Sequence, residues 1–310
     1  MTASTPAPQR ILVIRLSAIG DVVMASPLIA ALRRRYPAAY LAWLVEPAAA
    51  GLLRDHPDLD EVIVWPRDQW RVLWHARRYR AWWRALCSFI RELRARRFDL
   101  VLDLQGLLKS AVWARLTGAP ERVGLGSREG GALLMTRVIA RPRDDARIGS
   151  EYRRLAEVLG LAGGDFAPHI ALNEDDEAYA RAYAAATGPY IVFCPFTTRP
   201  QKHWFEERWP ALAQAVRSRF GLTPVLLGGP ADGAAAARMQ QANPALQSQA
   251  GRITLTRSAA LIKHAAGLVG VDTGLTHMGI AFGIPTVALF GSTRPYLDTT
   301  RPNARVLYHR

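Results

Sequence analysis

The sequence predicts an α/β chain made of two successive Rossmann-like halves. Short β-branched apolar runs alternate with stretches whose apolar positions recur at three-and-four spacing, the signature of buried strands followed by helices. The alternation starts at Ile11, pauses at a Gly- and Pro-punctuated stretch near residue 170, and restarts at Tyr190. In the second half the strands run into turns rich in Gly, Thr, Asp and Lys, the groups that bind phosphates and sugar hydroxyls.

The bulk numbers bound the function classes. At 310 residues, half hydrophobic and about a fifth charged, the chain is globular and long enough for two ordinary domains. No run approaches the roughly 20 apolar residues needed to span a bilayer. The N-terminal MTASTPAPQR lacks a signal-peptide pattern and reads as a short lead-in. Cys87 and Cys194 stand far apart with no CxxC, which argues against a disulfide framework or zinc site and for a reducing cytoplasm. Forty basic against 26 acidic residues give +14, a surplus that suits a polyanionic partner: nucleic acid, an anionic membrane face or a phosphorylated substrate. No helix-turn-helix, zinc or RNA-recognition signature accompanies it, so nucleic acid is not the expected partner.

The first βα unit is Ile11–Pro37. Ile11–Arg15 reads as a buried strand, Ser17–Gly20 as a tight turn, and Asp21 as the start of a helix carrying Val22, Met24, Ala25, Leu28, Ile29 and Leu32 inward. Asp21 has two readings. It is an N-cap, accepting backbone N–H bonds, or it is a reactive acid at the mouth of the ligand crevice.

Strands are expected next at Tyr40–Val45 and Glu61–Trp65, with a helix around Ala48–Arg54. Asp58-Leu59-Asp60 looks like the acidic triplet of some metal-dependent nucleotide-sugar enzymes, but its place between helix and strand makes it a solvated turn. Arg67–Arg97 is the densest basic segment, with Trp70, Trp74, Trp82 and Trp83 interleaved among its arginines. Guanidinium groups bind phosphate and carboxylate bidentately and tryptophans anchor at interfaces, so this segment reads as a binding surface; the alternative is an exposed helix with its tryptophans in the core.

Asp99–Leu104 is a strand, and Gln105–Ser110 turns into a helix whose Gly…Lys-Ser lacks the spacing of a phosphate-binding P-loop. Gly124-Leu125-Gly126 meets Glu129 where a dinucleotide fingerprint needs a third glycine. Glu121–Leu125 reads as a strand, Gly126–Arg147 as a long loop with some helix, and Ser150–Leu161 as a helix before Gly163-Gly164-Asp165. In the second half, Tyr190–Cys194, Pro224–Leu227, Leu268–Val271 and a last strand, Thr286–Phe290, alternate with helices near Glu206–Phe220, after Asp232, at Ile253–Ala265 and up to Phe282. No hydrolase elbow, zincin motif or paired-cysteine metal site appears. A basic, acid-tipped half beside a nucleotide-binding half fits group transfer from a nucleotide-activated donor.

Four motifs carry a family resemblance: Ser17-Ala18-Ile19-Gly20-Asp21-Val22, Asp103-Leu104-Gln105-Gly106-Leu107-Leu108-Lys109-Ser110, Thr197-Thr198-Arg199 with Lys202-His203-Trp204, and Val271-Asp272-Thr273-Gly274-Leu275-Thr276-His277. With these the chain resembles the lipopolysaccharide heptosyltransferases of glycosyltransferase family 9, leaning towards type I. The resemblance implies a GT-B fold, with two Rossmann-like domains facing across a central cleft. Residues 1–170 would be the acceptor-binding domain and 171–310 the nucleotide-sugar-binding domain. It implies an inverting, metal-independent enzyme without cofactors that moves L-glycero-D-manno-heptose from ADP-heptose to the Kdo region of a lipid A-linked inner core. The alternative is another nucleotide-sugar donor or a later core acceptor.

Carried over residue by residue, the resemblance makes Asp21 the general base. Thr197, Thr198 and Lys202 would hold the donor diphosphate, with Lys202 also counted as catalytic. Asp272, Thr273, Gly274 and His277 would line the same pocket, and Asp232 would bond the nucleotide ribose through a looser match. Arg71, Arg77, Arg78, Arg80 and Lys109 would meet the phosphates and sugar-acid carboxylates of Kdo-lipid A. The same resemblance, with the charge, implies a peripheral place on the anionic inner face of the inner membrane. Family members continue past the last strand with a C-terminal helix; this chain stops at Arg310, which implies that this helix is missing. Chemically, a sugar hydroxyl needs a carboxylate within hydrogen-bond reach, and the leaving diphosphate needs cations or N–H groups where its charge grows.

Overall fold

The computed structural model describes residues 7–142, 144–161, 163–164 and 166–308. The start of the lead-in, residues 1–6, Asp165 and the chain end at Arg310 lie outside the described residues. Two compact units divide the chain. The first comprises Met1–Ala18, Ala25–Asp144 and Ser150–Phe166; the second comprises Ile19–Met24, Asp145–Gly149 and Ala167–Arg310.

From the N-terminus the elements are β1 (Arg10–Ile14), α1 (Ile19–Ala25), α2 (Pro27–Arg35), β2 (Tyr40–Val45), α3 (Pro47–Arg54), β3 (Glu61–Val64), α4 (Arg67–His75), α5 (Tyr79–Ala95), β4 (Leu100–Asp103), α6 (Leu108–Leu116), β5 (Glu121–Leu125), β6 (Arg137–Ile139) and α7 (Ser150–Val158). The strands form one parallel sheet in the order β3-β2-β1-β4-β5-β6. Helices cover both faces of such a sheet, which is why Ile11–Ile14 and Leu41–Val45 are buried at every position instead of alternating. Leu12, Ile14, Leu44, Val101, Trp70, Phe89 and Trp113 share one core.

The second unit continues with α8 (Glu174–Thr187), β7 (Tyr190–Cys194), α9 (Arg208–Phe220), β8 (Thr223–Leu226), α10 (Gly233–Ala242), β9 (Gln247–Ser248), α11 (Leu255–Lys263), β10 (Gly267–Val271), α12 (Gly274–Phe282), β11 (Thr286–Phe290) and β12 (Ala304–Tyr308). Its parallel sheet runs β12-β11-β10-β7-β8-β9, the same doubly wound order as the first. Phe193, Trp209, Leu226, Met239 and Val271 are in its core.

Several sequence expectations change. The single helix expected from Asp21 to Leu32 is two, because Pro27 has no N–H to continue the ladder and opens α2 at its first turn. Asp21 is the third residue of α1, inside its first turn, and not the residue that caps it. The loop expected over Gly126–Arg147 contains β6, and Thr286–Phe290 is not the last strand, since β12 pairs beyond it. The basic segment breaks at Arg77, whose φ is +53°, into α4 and α5.

In a doubly wound sheet the order reverses between two central strands, and ligands bind beyond their carboxyl ends. In the first sheet these strands are β1 and β4, in the second β7 and β10. At the first of these points Gln105 Oε1 accepts from the N–H groups of Leu16 at 3.1 Å and Ser17 at 3.2 Å, and Arg15 Nη1 donates to Leu104 O at 3.0 Å.

Candidate active site

The second switch point gathers the chemistry. The loop after β7 carries Thr197 and Thr198, turns through a short 3₁₀ segment at Pro200–Lys202, and is closed by His203 Nε2 bonding Thr197 O at 2.8 Å. The turn brings Lys202 Nζ to 2.5 Å from Asp272 Oδ2, just past the end of β10. Thr293 Oγ1 donates to the same oxygen, and His277 Nε2 lies 3.5 Å from Asp272 Oδ1. Burial acts to raise the Asp272 carboxyl, but its bonds from His277, Lys202 and Thr293 outweigh this and hold it well below the usual carboxylate range. Asp272 is therefore a fixed anion that holds an ammonium and an imidazole in place. One N–H of Lys202 is committed to Asp272, which leaves two donors of the ammonium for a ligand.

His277 is in turn fixed from behind. Its Nδ1 bonds the hydroxyl of the buried Tyr296 at 2.6 Å. With Nε2 facing a carboxylate that only accepts, the tautomer that satisfies both partners carries its proton on Nε2 and takes the Tyr296 O–H at Nδ1. Burial, with the Asp272 charge nearby, pushes the Tyr296 phenol well above its usual range, so it stays a donor. The start of α12 completes the set: Thr273 is extended and gives it no side-chain cap, so the first N–H groups, from Gly274 onward, present the positive end of the helix. A lysine ammonium and helix-terminal N–H groups beside one another form an oxyanion site that suits a diphosphate.

Asp21 enters this unit through the Ile19–Met24 segment. Gly20 packs on the His277 ring, and a Cβ on Gly274 would overlap Ile19 Cγ2 and stand 3.1 Å from Gly20 N. The half-buried carboxylate-bearing residue thus follows directly on a glycine seated against the His277 ring of this cluster.

The other sequence-predicted residues have no bond to this cluster among the described residues. Asp232 Oδ2 accepts from Gly229 N at 2.7 Å and closes its own turn after β8. Thr197 is half-buried and Thr198 exposed. In the 103–110 motif, buried Asp103 accepts from Gln105 N at 3.0 Å, Gly106 N at 3.2 Å and Ser110 Oγ at 3.0 Å. Burial raises its carboxyl while those bonds oppose the rise. This motif builds the β4–α6 turn. Arg71, Arg77, Arg78 and Arg80 are exposed on α4, the α4–α5 connection and α5. Lys109 is elsewhere in its pairing: it lies 3.3 Å from Glu46, which Arg67 also approaches at 3.4 Å. Asp60 lies in the exposed turn expected between α3 and β3, and from there ties β2 to α2 by accepting from Leu41 N at 2.7 Å and Arg33 at 2.6 Å. Thr293 and Tyr296 had no motif to announce them.

The profile of glycosyltransferase family 9 (heptosyltransferase) matches residues 86–306. Lipopolysaccharide heptosyltransferase 1 of Pseudomonas aeruginosa is 31% identical over 92% of this chain and 79% of its own length. Lipopolysaccharide heptosyltransferase 2 of Escherichia coli is 28% identical over 97% of this chain and 90% of its own length. The structure of the Escherichia coli heptosyltransferase WaaC with ADP-2-deoxy-2-fluoro heptose superposes with a TM-score of 0.76 at 26% identity, covering 96% of this chain and 92% of that one. The two parallel sheets are those of the GT-B heptosyltransferase structures.

Proposed function

Because the chain belongs to glycosyltransferase family 9, the heptosyltransferases, we propose that it moves L-glycero-D-manno-heptose from ADP-heptose to the Kdo region of a lipid A-linked lipopolysaccharide inner core. The observation that supports this most is the Lys202–Asp272–His277 cluster at the β7/β10 switch point beside the uncapped start of α12. A diphosphate there receives the two remaining Lys202 donors, helix-terminal N–H groups and the Thr197 and Thr198 hydroxyls. Asp232 bonds the ribose. These groups supply the charge stabilisation that a divalent metal supplies in other transferases.

In this reading Asp21 takes the proton from the acceptor hydroxyl as its oxygen attacks the anomeric carbon. The bond from that carbon to the diphosphate oxygen breaks from the opposite side, the configuration inverts, and ADP leaves. Residues 1–170 serve the acceptor and 171–310 the donor, with Arg71, Arg77, Arg78, Arg80 and Lys109 facing the acceptor's phosphates and carboxylates. The protein works at the anionic cytoplasmic face of the inner membrane. Among the described residues no helix is long and apolar enough to cross it.

A second reading has the same donor and a later acceptor, as in heptosyltransferase 2, to which this chain is almost as similar. Thermal-shift screening with ADP-, UDP- and GDP-linked sugars followed by transfer to Kdo-terminated and heptose-terminated truncated lipid A separates the two. ADP-heptose with the Kdo-terminated acceptor is the expected pair. Transfer only to the heptose-terminated acceptor selects the second reading, and a shift only with another nucleotide sugar overturns the donor assignment.

A further inference from the structure

The tip of the α4–α5 hairpin exposes side chains that a globular surface usually covers. Val72 is 67% exposed, Trp74 51%, Tyr79 50% and Trp83 60%. The rings are continuous: Trp74 meets Tyr79 at 5.1 Å and Trp82 at 5.2 Å, and Trp82 meets Trp83 at 6.3 Å. Half-buried Trp82 roots the group against the first unit's core, where Trp70 is buried against Phe89 and Trp113; Trp74, Tyr79 and Trp83 are the exposed rings. Arg71, Arg77, Arg78, Arg80 and Arg84 surround the rings, all exposed. The only acid between Arg67 and Arg84 is Asp68, 3.9 Å from Arg71.

Three exposed amphipathic rings, surrounded by guanidinium groups and almost without acids, match the chemistry of a headgroup layer. There an indole buries its body among glycerol and upper acyl carbons while arginines bond lipid phosphates. Val72 adds aliphatic surface, which has no use in base stacking and so favours lipid over nucleic acid.

We propose that the α4–α5 tip docks on an anionic bilayer, with Trp74, Tyr79, Trp83 and Val72 entering the headgroup layer and Arg84 on lipid phosphates. This rests on the reading of the acceptor as lipid-anchored, because such an acceptor offers its sugar at that surface. The rings would hold the enzyme at the membrane, beside the arginines that face the acceptor's own phosphates and carboxylates.

The test compares the full chain with Trp74→Ser/Trp83→Ser on vesicles of phosphatidylglycerol and phosphatidylcholine and on pure phosphatidylcholine. Sedimentation measures partition, and lipids brominated near the headgroup report tryptophan entry by quenching. The full chain is expected to bind the anionic vesicles and be quenched. The double variant should partition about tenfold less, and Arg84→Gln about fivefold less. Transfer by the double variant to a deacylated, water-soluble acceptor should stay within about twofold of the full chain, as expected of a docking element outside the reacting site. Where the double variant fails to fold, Val72→Ser, which removes an exposed aliphatic group, and bromolipid quenching of the full chain decide. Equal partition of variant and full chain, absence of quenching, capture of oligonucleotides in place of vesicles, or a parallel loss of transfer to the deacylated acceptor would overturn the proposal. Vesicle binding without any transfer from ADP-heptose would instead overturn the proposed reaction and leave the docking surface standing.

Discussion

The α-carbon of Gly20 is pressed against the imidazole of His277: a Cβ there would overlap Cδ2 and stand 3.0 Å from Nε2. Gly274 meets Ile19 in the same way from the other side. Both contacts lie within the second unit, to which Ile19–Met24 belongs. Two residues without side chains thus register the turn that carries Asp21 against the ring that bonds Asp272.

Gly20→Ala breaks that register. His277 is 3% exposed and held at Nδ1 by Tyr296, so the ring cannot yield without giving up a bond. A displacement of about 1 Å in a reacting group costs on the order of 10²-fold. The variant is expected to lose at least about tenfold in kcat, with a lower midpoint of thermal unfolding. Unchanged steady-state kinetics would mean that the close packing has no catalytic consequence.

Tyr296→Phe leaves the ring's Nδ1 without its buried donor. Orphaning such a group costs about 1–3 kcal/mol and frees the imidazole to change tautomer. Urea unfolding should show the loss. ¹⁵N shifts of His277 should move from an Nε2-protonated ring towards a mixture. A ring that keeps its tautomer would show that Asp272 alone fixes it.

Asp272 gives a pH dependence of defined sign. Its carboxyl is held below the ordinary value of about 3.9. A depressed acid contributes stability that is fully present above the unfolded value and is lost as pH falls towards the folded one. The contribution is therefore present at about pH 5 and above and fades below about pH 4. Asp272→Asn should be less stable than the parent at pH 7, and the gap should narrow between about pH 4 and pH 2 in urea unfolding. A gap that does not depend on pH would trace the loss to packing instead of charge.

Lys202→Ala removes the ammonium from the proposed diphosphate site. Charge-assisted hydrogen bonds are worth about 1.5–3 kcal/mol, so ADP affinity by calorimetry should fall about 10- to 100-fold. Undiminished affinity would place the diphosphate elsewhere.

The sheets were legible because strands covered on both faces leave unbroken apolar runs such as Ile11–Ile14 and Val192–Cys194. The turn motifs named Lys202, Asp272 and His277, which the fold brings together. Thr293 and Tyr296 reach Asp272 and His277 from the segment after β11 across sequence separations of 21 and 19 residues. That approach depends on the register of β10 with β11, Val271 beside Leu289, which spacing along a chain does not encode. The α8 signal was present in Asn173 followed by Glu174, Asp175, Asp176 and Glu177, a capped start with acids in its first turn. β12 was hidden by Arg305 and by the exposure of Leu307 and Tyr308 on an edge strand. Trp70 and Trp74 share a helix face by spacing, but only Trp70 reaches Phe89 and Trp113; Trp74 lies beyond them against Tyr79 and Trp82.

Asp21 carries the largest functional weight, and Asp21→Asn tests it with the least change in shape. Transfer from ADP-heptose to the Kdo-terminated acceptor and calorimetric ADP affinity are measured on the same preparation. Loss of a general base costs about 10²–10⁴-fold, so turnover should fall by that order while ADP affinity stays within about threefold. Turnover close to the parent, or a loss that follows weakened ADP binding, would contradict Asp21 as the base that activates the acceptor.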